Sequence, residues 1–245
     1  MELNTQGAEL EDRTMKIAFY GDSLTKGIPG LSYFQMLEER LPEHELMNYG
    51  KGGDTVISLY RRIERREIHG SVDIAFLWVG VNDVLAKVTF THSMLKRLMR
   101  QPRAKDHIEI RDYYDRTLKL LRQKATHILT VSPLLIGEDL SSPWNRELAE
   151  LSEIVASASS CFSNVQYIDL RSTFSKELAG RTISGYIPNS ILRIARDTFT
   201  LRSPAQVDTA ASRRGLYLTL DGVHLNSAGA EIVTESFREM VRTLS

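Results

Sequence analysis

Short apolar runs and helix-spaced apolar positions alternate along most of this 245-residue chain. The run Met15 to Tyr20 (Met-Lys-Ile-Ala-Phe-Tyr) predicts a first strand, and Tyr33 to Leu41 a helix stopped by Pro42. Glu45 to Tyr49 predicts a second strand running into Gly50-Lys51-Gly52-Gly53. Val56, Leu59, Tyr60 and Ile63 then keep near-helical spacing, with Asp54 or Thr55 placed to cap that helix. Asp73 to Val79 is almost entirely apolar, as a parallel strand covered on both faces must be, and it ends at Gly80-Val81-Asn82-Asp83. After a charged connection through Met94, Leu95 and Leu98, helices are expected over 113–123 and 143–157 and strands over 127–131 and 165–170. Residues 181–220 show no clean periodicity. Asn226 or Ser227 caps a last helix carrying Ile232, Val233, Phe237, Met240 and Val241.

Five strands alternating with helices, joined by long crossovers, require a parallel sheet covered on both faces. The expected architecture is a three-layer α/β/α sandwich. Residues 1–14 are polar and acidic and read as a flexible segment, leaving 15–245 as one domain. In such a sheet the ligand crevice lies beyond the carboxyl ends of the strands.

Composition removes several function classes. Lys plus Arg and Asp plus Glu both total 31, so no global field draws the chain to nucleic acid. No apolar run approaches a membrane span, and no basic-then-apolar leader opens the sequence, so a cytoplasmic protein without membrane insertion is expected. One cysteine, Cys161, excludes an internal disulfide. The six histidines form neither His-x-His nor His-Glu-x-x-His pairs, and no metal is expected. Neither a Gly-x-Ser-x-Gly elbow nor a phosphate-binding Gly-Lys-Ser/Thr loop is present.

The candidate chemistry sits at the strand ends. Gly21-Asp22-Ser23-Leu24 follows the first strand, Gly53 the second and Asn82 the third; Asp221-Gly222-Val223-His224 precedes the last helix. These residues can fill the roles acyl transfer needs. Ser23 is the candidate nucleophile, His224 its base, and Asp221 the carboxylate that orients the imidazole. The N–H groups of Ser23 and Gly53 with the Asn82 amide are the candidate oxyanion donors. Each residue also has a plainer use: Ser23 as a helix cap, Asn82 and Asp221 as turn formers, Asp83 as a structural cap.

The four blocks, with Asn48 five residues before Gly53, resemble in type and order those of the GDSL, or SGNH, hydrolases, from residue 21 to 224. The resemblance implies a flavodoxin-like fold and hydrolysis of a small acyl ester, some relatives acting on thioesters, without a cofactor. It implies Ser23, Gly53, Asn82 and His224 as the eponymous residues and Asp221 as the third triad member. Leu225-Asn226 stands where many relatives place proline. An acyltransferase using the same acyl-enzyme and an inactive flavodoxin-like binding module remain alternatives. Residues 181–214, rich in arginine (Arg181, Arg193, Arg196, Arg202, Arg213, Arg214), read as an insertion: a lid, an arginine clamp on an anionic group, or a surface excursion or oligomer contact.

Overall fold

The computed structural model describes residues 14–65, 70–88, 102–187 and 191–244. Five strands, β1 (Lys16–Gly21), β2 (Glu45–Gly50), β3 (Val72–Trp78), β4 (Ala125–Val131) and β5 (Val165–Ile168), form one sheet in the order β2-β1-β3-β4-β5. Every pairing is parallel. The strand order reverses beside β1, which β2 and β3 flank. Register sets Gly21 opposite both Gly50 and Trp78, so the three loops that follow leave the sheet at one level. That is the crevice position expected for an open parallel sheet.

The helices form where polar caps meet apolar spacing. They are α1 (Ser23–Lys26), α2 (Tyr33–Arg40), α3 (Val56–Arg65), α4 (Val81–Val88), α5 (His107–Leu121), α6 (Pro143–Ser159), α7 (Leu170–Leu178), α8 (Ile191–Thr200), α9 (Pro204–Arg213) and α10 (Ser227–Leu244). Ser32 caps α2, Asp106 caps α5, and Ser142 caps α6 ahead of Pro143, each accepting a first-turn N–H. Thr55 Oγ1 accepts from Ser58 N at 3.2 Å, and Asn226 Oδ1 from Gly229 N at 3.0 Å, so both expected caps are used.

The core is continuous across the sheet. Phe19 of β1 stacks on Phe76 of β3 with ring centroids 4.6 Å apart, and Phe237 of α10 lies 4.5 Å from Phe76. Tyr33 of α2 meets Phe237 edge-on at 5.2 Å. Aromatic burial of this kind stabilises by about 1.5–3 kcal/mol per side chain, and it pins the C-terminal helix against the first strand.

The pattern-based expectations differ from the structure in four places. Val81-Asn82-Asp83 opens helix α4 rather than a free turn. Helix α5 begins at His107, six residues before the expected 113, because Asp106 caps it. The fifth strand stops at Ile168, since Asp169 caps α7 and Phe174 and Leu178 turn inward. The aperiodic 181–220 contains α8 and α9, the latter opened by a Ser203/Gln206 capping box and Pro204. The connection through Met94, Leu95 and Leu98, and most of 1–14, lie outside the described residues.

Candidate active site

Chain direction changes sharply after β1. Asp22 caps the four-residue α1, accepting from Leu24 N through Oδ1 at 2.9 Å, and so turns the chain immediately before Ser23. Ser23 opens α1 with 8% of its surface exposed. Its N–H belongs to the first helical turn, where no intrahelical carbonyl can take it.

The partner loop precedes α10. Asp221 Oδ1 accepts the backbone N–H groups of Val223 at 3.1 Å and His224 at 2.9 Å, folding the segment back on itself. Its Oδ2 lies 2.8 Å from His224 Nδ1. On its other side the ring presents Nε2 at 3.0 Å from Ser23 Oγ, although 201 residues separate the two. An ionised Asp221 can only accept, so Nδ1 donates, and in the neutral imidazole Nε2 is left to accept from the Ser23 hydroxyl. Gly222 makes this turn possible. Its φ is +92°, and a Cβ there would stand 3.0 Å from Tyr186 O.

Charge tunes the pair. Burial disfavours the charged imidazole, but attraction to Asp221, the hydrogen bond to it and the field of Asp22 outweigh that penalty. The His224 pKa is raised above its ordinary value of 6.5. Asp221 shows the reverse balance: burial alone would raise its pKa, and His224 with the two loop N–H groups lowers it.

The other two expected residues lie on the neighbouring strand ends. Asn82, buried in the first turn of α4, donates from Nδ2 to Asp22 Oδ2 at 3.0 Å. One carboxylate therefore caps the helix that carries Ser23 and orients the Asn82 amide. Gly53 follows β2 with φ +78°, in the left-handed region that glycine adopts without strain. Asn48 bridges the same corner from below, donating to Thr25 O at 2.8 Å and accepting from Gly50 N at 2.8 Å. Asp83 Oδ2 accepts from Val56 N at 3.0 Å, the structural use expected of it. The site thus joins a hydroxyl, an imidazole and a carboxylate in sequence, with a glycine and an amide on the adjoining strand ends.

Three residues at or beside the site have parts that the sequence did not announce. Asp22 was visible only as a motif member. Arg62, one of several arginines on α3, turns inward. Its side chain is 14% exposed, pairs with buried Asp54 at 2.8 Å and donates to Gly21 O at 3.3 Å. Glu138 is fully buried and accepts hydrogen bonds from residues 217–219. Charge without periodicity reads as surface, and only tertiary structure supplies the partners.

Several arginines of 181–214 engage the protein's own groups. Arg214 bonds Asp197 at 2.6 Å and Leu220 O at 2.9 Å, Arg193 bonds the Tyr186 hydroxyl at 3.1 Å, and Arg181 lies over the Tyr217 ring at 4.8 Å. The His44 side chain is buried, its Nδ1 facing Met15 N at 3.5 Å. His69 and His92 lie outside the described residues. Among the described residues no cluster of three or more His, Cys, Asp or Glu is arranged to hold a metal ion, and no helix is long and apolar enough to cross a membrane.

An α/β/α sandwich with a serine–histidine–aspartate contact at its strand ends is an architecture of the hydrolase type. The profile of the GDSL-like lipase/acylhydrolase family matches residues 19–232, and the chain belongs to that family of carboxylic ester hydrolases. Among solved structures it is similar to the acetyl xylan esterase AlAXEase (24% identity, TM-score 0.67, covering 93% of this chain and 100% of that one). It is also similar to Axe2, an acetylxylan esterase from Geobacillus stearothermophilus (19% identity, TM-score 0.65, 93% and 94% covered). A third is LAE5, described as an alpha/beta hydrolase enzyme from the metagenome of Lake Arreo, Spain (18%, 0.65, 94% and 96%). At these identities the likeness speaks for the fold. No curated protein sequence matches the chain.

Proposed function

We propose that the protein hydrolyses small carboxylic esters through a covalent acyl-enzyme on Ser23. The observation that carries this is the unbroken contact from Ser23 Oγ to His224 Nε2 (3.0 Å) and from His224 Nδ1 to Asp221 Oδ2 (2.8 Å). Ser23 Oγ attacks the ester carbonyl carbon while its proton passes to His224 Nε2. Asp221 stabilises the imidazolium and holds the tautomer. The negative oxygen of the tetrahedral intermediate is received by the N–H groups of Ser23 and Gly53 and by Asn82 Nδ2, whose amide plane the Asp22 bond fixes. Collapse breaks the ester C–O bond, and the departing alcohol takes the proton from His224. Water, deprotonated by the same imidazole, then attacks the acyl carbon, releasing the acid and returning the proton to Ser23. Apart from the ester and the attacking water, these steps use groups of the chain.

Acetyl is the first acyl group to test, because two similar solved structures are described as acetyl xylan esterases. The experiment is a panel of nitrophenyl esters from acetate to octanoate, run beside acetylated xylo-oligosaccharides and an acyl thioester. Turnover falling with chain length, abolished by Ser23→Ala in a folded protein, is the expected result. A folded wild-type protein inert to the whole panel, or activity surviving Ser23→Ala, rejects the reading.

A further inference from the structure

We infer that Glu138 is a positioning residue for the catalytic loop, clamping residues 217–219 so that Asp221 and His224 stay in contact; this rests on the function proposed above. Glu138 follows β4 in the chain and is fully buried. Its Oε1 accepts from Leu218 N at 2.8 Å, Thr219 N at 2.9 Å and Thr219 Oγ1 at 2.8 Å, and its Oε2 from Tyr217 N at 2.8 Å. Four donors converging on two oxygens suit an ionised carboxylate, which has acceptors only. A neutral glutamine has one accepting oxygen and would turn its own N–H groups toward a donor.

The clamp reaches the triad through one more bond. Thr219 Oγ1, which donates to Glu138, accepts from Gly222 N at 3.1 Å, in the turn between Asp221 and His224. Next to Glu138, Gly137 N donates to Gly222 O at 2.8 Å, so Gly222 is tied to that loop directly through its carbonyl and, through Thr219, by its N–H. That loop is itself fixed. Buried Asn145, near the start of α6, donates to the carbonyls of Ile136, Gly137 and Asp139 and accepts from Ile136 N. Burial alone requires donors for a carboxylate, but not that all four come from three successive residues of the loop that carries Asp221 and His224. Nor does burial require a relay into the turn that sets the Asp221–His224 distance.

The role is mechanical, since the charges that act on His224 are those of Asp221 and Asp22. Loosening the loop weakens the Asp221 contact, and the imidazolium loses its main support. Two readouts test this in the purified full-length chain, with folding checked by circular dichroism. One is kcat and KM on nitrophenyl acetate, and the other is the titration of His224 followed by NMR of its ring nitrogens, which requires no turnover. Glu138→Gln is expected to lower kcat about tenfold or more with KM nearly unchanged. The His224 pKa is expected to fall by about half a unit or more in the same variant. If Glu138→Gln does not fold, Thr219→Val removes the relay hydroxyl at nearly constant shape and Thr219→Ser restores it. Loss in the first and rescue in the second, by either readout, support the clamp. A folded Glu138→Gln, or failing that Thr219→Val, with wild-type kcat and His224 titration and only a lowered melting temperature overturns it. An inert wild-type enzyme whose His224 titration still responds would reject the esterase function and leave the clamp standing.

Discussion

Asp22 does three things with one side chain: it caps α1, orients Asn82 and adds a negative field at His224. Those uses separate by experiment. If Asn82 Nδ2 receives the oxyanion, Asn82→Ala lowers kcat about 10²–10³-fold with a smaller change in KM; wild-type kcat would remove it from the mechanism. The acidity of His224 follows from sign alone. The base is the neutral imidazole, and its pKa in the free protein is raised, so kcat/KM falls as pH drops through a value above 6.5. Replacing Asp22 by asparagine removes a negative charge that favours the imidazolium, so the acid limb in Asp22→Asn moves to lower pH. Because an amide supplies only one accepting oxygen where two are used, kcat falls as well; the direction of the limb's movement is the diagnostic. Ser23, Gly53, Asn82, Asp221 and His224 could be proposed from the sequence because they fall in the family's order at strand ends and helix entries. Glu138 and Arg62 could not, since an isolated acid or base in a polar stretch looks the same whether water or a buried loop surrounds it.

At the scale of elements, the corner where β1, β2 and α3 meet carries a buried ion pair beside its apolar contacts. Asp54 follows Gly53 directly, accepts from Ser58 Oγ at 3.0 Å, and pairs with Arg62, which also reaches Gly21 O at the end of β1. Arg62→Met is expected to leave a buried carboxylate without its partner and cost about 3–5 kcal/mol. Asp54→Asn added to it should recover part of that loss, and urea denaturation of the single and double variants measures both. Strictly additive losses would show that the pair is not coupled. The sheet was legible because parallel strands buried on both faces are unbroken apolar runs, as in Val72–Trp78. Helix α4 was not, since its first residues, Val81-Asn82-Asp83 after a glycine, carry the same letters as a turn. Within 181–214 the capping box at Ser203 and Gln206 was a readable start signal, and the density of arginine obscured it.

The whole molecule closes the two ends of the chain onto each other. Ser23 stands at the end of the first strand and His224 just before the last helix, so the site exists only while α10 is seated against the sheet. Two of the contacts that seat it differ in kind. Arg40 of α2 pairs with Glu231 at 2.7 Å and also with Glu235, and Phe237 packs among Phe19, Tyr33, Phe76 and Trp78. Exposed ion pairs of the first kind contribute little, whereas truncating a buried aromatic leaves a cavity. Phe237→Ala is therefore expected to cost about 3–5 kcal/mol, and Arg40→Ala about 1 kcal/mol or less. Both substitutions lie outside the reacting groups, so their effect on activity should run through the folded population alone. In urea, nitrophenyl acetate turnover and the far-ultraviolet circular dichroism of Phe237→Ala should fall together at a lowered midpoint with an unchanged slope. If activity disappears well before the helical signal, α10 and the His224 loop detach as a separate unit. The joining of the two chain ends would then be a local equilibrium rather than a property of the whole fold.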